Sequence, residues 1–262
     1  MNHYKSIFIS DIHLGTKGSQ AEVIDDFLRN NNSEKLYLVG DIIDGWKLQK
    51  RIYWPQEHSN VIRKIIGKAR KGTKVYYIPG NHDEVLRKWM DMDLRFGRIK
   101  IVPDCVHKGA DGKKYYVVHG DTFDGITRLA PWVAWLGDSA YTITQDMNRL
   151  YNQLRKKLGM DYWSFSKFLK YNVKKAVDFV FKFEENITGY CDKKGYAGVI
   201  CGHIHTPIIK DINNIKYMNC GDWVENTTAL VEHLDGRFEI IEWKIKYDKK
   251  DTDSNRQSTE SD

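Results

Sequence analysis

With 262 residues, 41% of them hydrophobic and 29% charged, the chain can bury a full core and has the composition of a soluble globular protein of one or two domains. Its net charge of +6 favours anionic partners without choosing among phosphorylated metabolites, nucleic acid and acidic membrane, and no apolar run reaches the ~20 residues that cross a bilayer. The four cysteines, Cys105, Cys191, Cys201 and Cys220, form no CxxC pair and fit free thiols in a reducing compartment, so the chemistry must come from other side chains.

The N-terminus does not read as a signal peptide, because a short strand-like run, Ser6–Ser10, begins almost at once. A helix is predicted over Ala21–Asn30, where Val23, Ile24, Phe27 and Leu28 recur at helical spacing, and another around Val61–Ala69. Strands are predicted at Lys35–Val39, Lys74–Ile78 and Tyr115–Val118. Strands alternating with helices imply a mainly parallel sheet covered by helices. The stretch 123–194 has long helical patterns and reads as an inserted helical cap between two parts of a core, 1–122 and 195–247. From Gly198 short strands return: Gly198–Cys201, Ile208–Ile212, Ile215–Asn219, Thr228–Leu234 and Phe238–Trp243. Asn213-Asn214 and Asp235-Gly236 mark turns between them. Residues 248–262 lack apolar anchors and read as a disordered tail.

Nearly every predicted core strand runs into a cluster of Asp, Asn and His. These are Asp11-Ile12-His13, Gly40-Asp41 with Asp44, Gly80-Asn81-His82-Asp83, His119-Gly120-Asp121, and Gly202-His203-Ile204-His205. Ligands of open α/β sheets bind beyond the carboxyl ends of the strands, so these clusters are expected to converge. Oxygen and imidazole donors without thiolate suit Mn²⁺, Fe²⁺ or Zn²⁺ at a catalytic site. The i, i+2 spacing of Asp11 with His13, and of His203 with His205, lets each pair face one side together. Seven such donors exceed what one ion with an open position takes, and they fit two divalent ions sharing a carboxylate.

In this order, DxH, GDxxD, GNH[D/E], H-G and GHxH resemble the motif set of the calcineurin-like metallophosphoesterases, from Asp11 to His205. The resemblance implies an α/β fold: a metallophosphoesterase-type β-sandwich flanked by helices. It implies Asp11, His13, Asp41 and His205 at one ion and Asp41, Asn81, His119 and His203 at the other, with Asp41 bridging. His82 matches the family's general-acid or phosphate-contacting histidine, oriented by Asp83. Asp44 and Asp121 are expected beside the ligands. His3, His58, His107 and His233 read as surface or packing residues.

Within that superfamily the chain is similar to the UDP-2,3-diacylglucosamine pyrophosphatase branch, through Tyr37–Asp41 with Trp46 soon after, His119–Thr122, and a helical segment before GHxH. The resemblance implies hydrolysis of UDP-2,3-diacylglucosamine to 2,3-diacylglucosamine 1-phosphate and UMP for lipid A synthesis. It further implies Mn²⁺ as the metal and the cytoplasm, peripheral on the inner membrane, as the location. His82 departs from the branch, whose best-known members have Arg there, and Asp44 stands where they carry a different acid. From Arg149 to Lys175 eight basic residues and six aromatics accompany a single acid, Asp161. This composition fits either a buried apolar stripe with a solvated basic face, or a cap that meets a lipid-linked or nucleotide-linked phosphate, and an anionic membrane surface, through Lys167, Lys170 and Lys174. Asn81 and His82 are the expected substrate contacts in the core. No nucleic-acid motif accompanies the basic residues. The competing readings are a soluble phosphodiesterase or phosphatase for a nucleotide or phosphoprotein, and a scaffold that has lost its chemistry. Retention of every ligand speaks against the scaffold.

Overall fold

The computed structural model describes residues 1–92, 95–124 and 165–245. Two sheets form the centre. The first has strand order β12-β11-β1-β2-β3-β5-β4. It is built from β1 (Asn2–Ile9), β2 (Asn31–Val39), β3 (Lys74–Ile78), β4 (Arg95–Phe96), β5 (Ile99–Ile101), β11 (Thr228–Glu232) and β12 (Phe238–Glu242). The second, in order β6-β7-β8-β10-β9, contains β6 (Cys105–Lys108), β7 (Lys114–Val117), β8 (Gly198–Cys201), β9 (Ile208–Ile212) and β10 (Ile215–Asn219). β1, β2, β3 and β5 run parallel, as do β7, β8 and β10, whereas the outer strands are antiparallel.

The layering follows from side-chain alternation along each strand. Ile7 and Ile9 of β1, Leu36 and Leu38 of β2, and Val75 and Tyr77 of β3 face α1 (Ala21–Asn30) and α3 (Gln56–Arg70). The intervening Phe8, Tyr37, Val39 and Ile78 face inward, against Val117, Ile200 and Met218 of the second sheet. That sheet's outer face, including Tyr116, Val199, Cys201 and Tyr217, is covered by Phe183, Ile187 and Cys191 of a 30-residue helix, α4 (Phe165–Lys194). The C-terminal half of α4 thus packs as the outer layer of the core, although it lies within the segment read as a cap. Residues 125–164, which hold Arg149, Trp132 and Trp135, and the tail from 246 lie outside the described residues. The side chains of Lys167, Lys170 and Phe168 lie outside them too, while Lys174 is exposed on α4.

A buried polar link joins the sheets. His107 of β6 donates through Nε2 to Glu232 of β11 at 2.8 Å and accepts from the Tyr37 hydroxyl at 3.0 Å. Glu232 also takes the Ala110 amide at 2.7 Å, so this buried carboxylate is satisfied and its carboxyl is held below the ordinary range despite burial. His58 is buried as well, accepting the Gly15 amide at 3.0 Å.

The parallel arrangement decides where function can reside. The carboxyl ends of β1, β2 and β3 lie together and lead into Asp11, Asp41 and Asn81, while β7 and β8 lead into His119 and His203. Beyond the strands the loops after β1 and β2 continue to zip together, through Asp11 N to Gly40 O at 3.0 Å, His13 N to Asp41 O at 2.9 Å and Leu14 N to Ile42 O at 2.9 Å.

Candidate metal centre

The residues at these strand ends leave extended structure abruptly. Asp11, His13, Asp41, His203 and His205 all occupy the left-handed region, with φ from 52° to 68°. Such a conformation costs a non-glycine residue on the order of 1 kcal/mol or more, and it persists only where neighbours enforce it. The loop-to-loop hydrogen bonds provide that enforcement. Gly40, at φ 81°, is required for space as well as conformation, because a Cβ there would run into the His119 imidazole.

Each central carboxylate has one oxygen tied to backbone and one turned inward. Asp11 Oδ2 accepts from His203 N at 3.0 Å, and Asp41 Oδ1 accepts from His82 N at 2.8 Å. The remaining oxygens, Asp11 Oδ1 and Asp41 Oδ2, face imidazole nitrogens. His205 Nε2 is 3.1 Å from Asp11 Oδ1, and His119 Nε2 is 3.4 Å from Asp41 Oδ2. His13 Nε2 lies 3.9 Å from both inward oxygens, and His82 Nε2 lies 4.0 Å from Asp41 Oδ2. Among the described residues, donor atoms fall into three overlapping groups, each with all atoms within 4.8 Å of one another: Asp11–His13–His205, His13–Asp41–His82 and Asp11–Asp41–His119.

These atoms are close, yet they do not satisfy one another. Asp11 Oδ1, His119 Nε2 and Asn81 Oδ1 are buried with no hydrogen-bond partner. The nearest charged contacts there are His205 Nε2 with Asp11 Oδ1 at 3.1 Å and His119 Nε2 with Asp41 Oδ2 at 3.4 Å. Buried polar atoms left in this state cost about 1–3 kcal/mol each. Convergent orphan oxygens and nitrogens at a strained backbone are what a site for cations requires, and the donors present fit a pair of divalent ions.

Outer contacts select which nitrogen each histidine offers. His119 Nδ1 donates to Val39 O at 3.0 Å, leaving Nε2 free. His13 Nδ1 lies 3.3 Å from Asp44 Oδ2, again leaving Nε2. His203 differs: its Nε2 donates to Asp124 at 2.6 Å, so Nδ1 is the nitrogen left for an ion. Asp124 has no motif spacing that marks it in the sequence. Trp46 also joins the site, its ring lying over His82 with centroids 4.3 Å apart.

One expected partnership is corrected. Asp83 does not orient His82. Its buried carboxylate is used up by the Ile42 amide at 3.0 Å, the Gly80 amide at 2.5 Å and the Tyr77 hydroxyl at 2.5 Å, which brace the loop from below. Burial and the charge of Asp41 raise its carboxyl above the ordinary range. The carboxylate beside His82 is Asp44, with Oδ2 3.0 Å from Nδ1. Asp121 lies, as expected, beside a ligand, where its charge helps raise His119, and it also pairs with both nitrogens of Arg87 at 2.7 and 2.8 Å.

Charge inside the cluster is strongly coupled. Burial disfavours ionised Asp41, but neighbouring His119 outweighs it and brings the carboxyl down to about 2. Asp11 shifts the same way, held below the ordinary range by His205 despite its burial. Conversely, burial lowers His119 and His205, while Asp41 and Asp11 outweigh it and push them up to about 10 and about 9. Protons on these imidazoles compensate the carboxylates in the metal-free chain.

An α/β/β/α core with aspartate, asparagine and histidine donors gathered at its strand ends is that of a metal-dependent phosphoesterase. The chain belongs to the calcineurin-like phosphoesterase family, whose family model matches residues 4–207. Its relatives include the UDP-2,3-diacylglucosamine hydrolase of Aliivibrio fischeri (strain MJ11), 27% identical over 92% of this chain and 99% of that protein. The protein of that name from Shewanella frigidimarina (strain NCIMB 400) is 23% identical over 86% of this chain and 92% of its own length. A solved archaeal phosphodiesterase aligns with TM-score 0.45 at 12% identity, over 90% of this chain and 98% of that one.

Metal binding must displace the protons on His119 and His205, because an ion takes only the neutral imidazole. At pH 7 about two protons are expected to leave on loading, since the folded values of about 9 and about 10 lie above that pH. Apparent affinity should therefore rise with pH and level off only above about 10. Calorimetric titration with Mn²⁺ in buffers of different ionisation enthalpy measures the release. A binding enthalpy independent of buffer would contradict it.

Proposed function

We propose that the chain hydrolyses the diphosphate of UDP-2,3-diacylglucosamine, giving 2,3-diacylglucosamine 1-phosphate and UMP, with two manganese ions as its metals. The observation that carries the hydrolase chemistry is the set of inward-turned, unpartnered donors around Asp41 Oδ2. The choice of substrate is supported by relatives named for that activity that align over most of the chain. Among the described residues no helix is long and apolar enough to cross a membrane. In this reading the protein works at the cytoplasmic face of the membrane that holds its lipid substrate.

Asp11, His13, Asp41 and His205 would hold one ion, and Asp41, Asn81, His119 and His203 the other. When bound, two divalent ions stabilise charge on phosphoryl oxygens and lower the pKa of an attacking water. The chain itself does the rest. Asp41 is fixed by the His82 amide so that only Oδ2 faces both sets of donors. The buried strand ends exclude bulk water from the carboxylates. His82 carries the proton chemistry: Asp44 and Asp41 raise its pKa against burial, so the ring stays protonated to higher pH and can donate from Nε2 to a departing oxygen. The Trp46 indole over the ring restricts its orientation and favours the cationic form.

The direct test is an assay with Mn²⁺ of UDP-2,3-diacylglucosamine against soluble nucleotide and nitrophenyl phosphodiesters. A higher kcat/KM for the lipid diphosphate, with UMP as product, is expected. Preference for soluble nucleotides or phosphopeptides would replace this reading with a soluble phosphodiesterase or phosphatase.

His82→Ala separates proton donation from metal binding. It should lower kcat by about 10²–10⁴-fold on a phosphodiester with a poor alkyl leaving group. It should cost much less with nitrophenolate, which leaves without a proton, and the content of bound metal should stay near wild type. Loss of metal in this variant would make His82 a ligand or support instead.

A further inference from the structure

The segment from α2 (Gly45–Lys50) to the start of α3 plays no part in the chemistry beyond Trp46, yet its composition is unusual. Gly45–Gln56 reads GWKLQKRIYWPQ, with three basic residues, Lys47, Lys50 and Arg51, and no acid. Between and beside the cations stand Trp46, Ile52, Tyr53 and Trp54. A segment folded for its own sake would bury these rings, but they are displayed: Ile52 is 83% exposed, and Trp46, Tyr53 and Trp54 are 36–37% exposed. Lys47, Lys50 and Arg51 are exposed too, and among the described residues none of them forms an ion pair.

The display is held in place. Asp44 caps α2 by accepting the Lys47 amide at 2.8 Å. Trp54 Nε1 donates to Ser59 at 3.0 Å, and the Tyr53 and Trp54 rings lean edge-on against buried His58. Pro55 then sets the entry to α3. Ile52 is left projecting at the tip.

The same segment adjoins the metal centre. His58 accepts the amide of Gly15, two residues after His13, and Leu48 fills the space over Gly15 that a Cβ would need. Trp46 covers His82, and its Nε1 reaches Glu84 at 3.4 Å, next to the exposed Val85. One end of the segment therefore walls the site and the other faces outward.

We propose that Lys47–Trp54 is a docking surface for an anionic lipid bilayer, which seats the mouth of the metal centre against the membrane. The chemistry of each residue matches a depth in that interface. Indole and phenol rings settle among the headgroups, an aliphatic tip enters the acyl boundary, and Lys and Arg meet anionic headgroups while their stems stay in apolar surroundings. The absence of acids from the segment removes the repulsion that an anionic surface would otherwise exert. This inference deepens the proposed function, which it uses for its purpose, but the binding itself requires no substrate.

The test is flotation of the full-length protein with vesicles of phosphatidylglycerol and phosphatidylcholine, against vesicles of phosphatidylcholine alone, without substrate. The wild type should float with the anionic vesicles and be released as salt rises, because a surface potential acts only within a Debye length, about 10 Å at 0.1 M. Replacing Lys47, Lys50 and Arg51 by Ser should lower partitioning about fivefold per residue, or on the order of a hundredfold together. A second variant, Ile52→Ser with Tyr53→Ser, should also lose flotation. Both variants should hydrolyse a small soluble phosphodiester at the wild-type rate, which shows that fold and metals are intact. Wild-type protein that ignores anionic vesicles at low salt would overturn the proposal, and so would variants that float as well as wild type. If flotation behaves as expected but UDP-2,3-diacylglucosamine is not hydrolysed, the docking surface stands and the substrate assignment fails.

Discussion

The carboxylate of Asp41 is the point on which the centre depends. One oxygen is pinned by the amide of His82, and the other is left facing His13, His82 and His119 at 3.4–4.0 Å. That division is imposed by backbone: Asp41 sits in the left-handed region straight after Gly40, with its own carbonyl accepting from His13 N. The loop after β1 therefore cannot be placed without the loop after β2. Rotating Asp41 would release His82 and uncouple the two sets of donors together. Around this group the fold brings strands of two sheets to one end, so that donors far apart in sequence share a few ångströms.

Such a centre is poorly built as protein alone. Buried carboxylates crowd imidazoles at 3.1–4.0 Å, some buried polar atoms are left without partners, and the backbone beneath them is strained. In the metal-free chain, protons on His119 and His205 supply compensation; exchanging them for divalent cations satisfies the same carboxylates with more charge. A fold that tolerates this needs a rigid frame. The three apolar layers, tied across the sheets by the His107–Glu232 pair, provide it.

Much of this was legible in the sequence, for definite reasons. β3, β8, β9 and β10 coincide with apolar runs bounded by glycine, asparagine or charged residues, where period-two patterning has little competition. The gathering of the Asp, Asn and His clusters followed from their placement after the apolar runs of β1, β2, β3, β7 and β8. Other elements are hidden. β6 presents a buried histidine where a strand core is expected to be apolar, because His107 finds its partner across the sheet gap rather than nearby. α2 is short and polar, and Asp44 reads as part of a ligand motif although it also caps that helix. Asp83 is a neighbour of His82 in sequence but not in space, since adjacent side chains at a turn diverge and the loop's own amides claim its oxygens. Asp124 and Arg87 act through contacts that only the fold creates.

The centre is built for two ions that share Asp41. That sharing is tested most directly by anomalous diffraction from crystals of the protein equilibrated with Mn²⁺. Two peaks about 3.5–4 Å apart are expected, astride Asp41 Oδ2, with His13 and His205 on one side and Asn81 and His119 on the other. A single peak, or a pair that leaves Asp41 on one ion only, would contradict the shared-carboxylate centre.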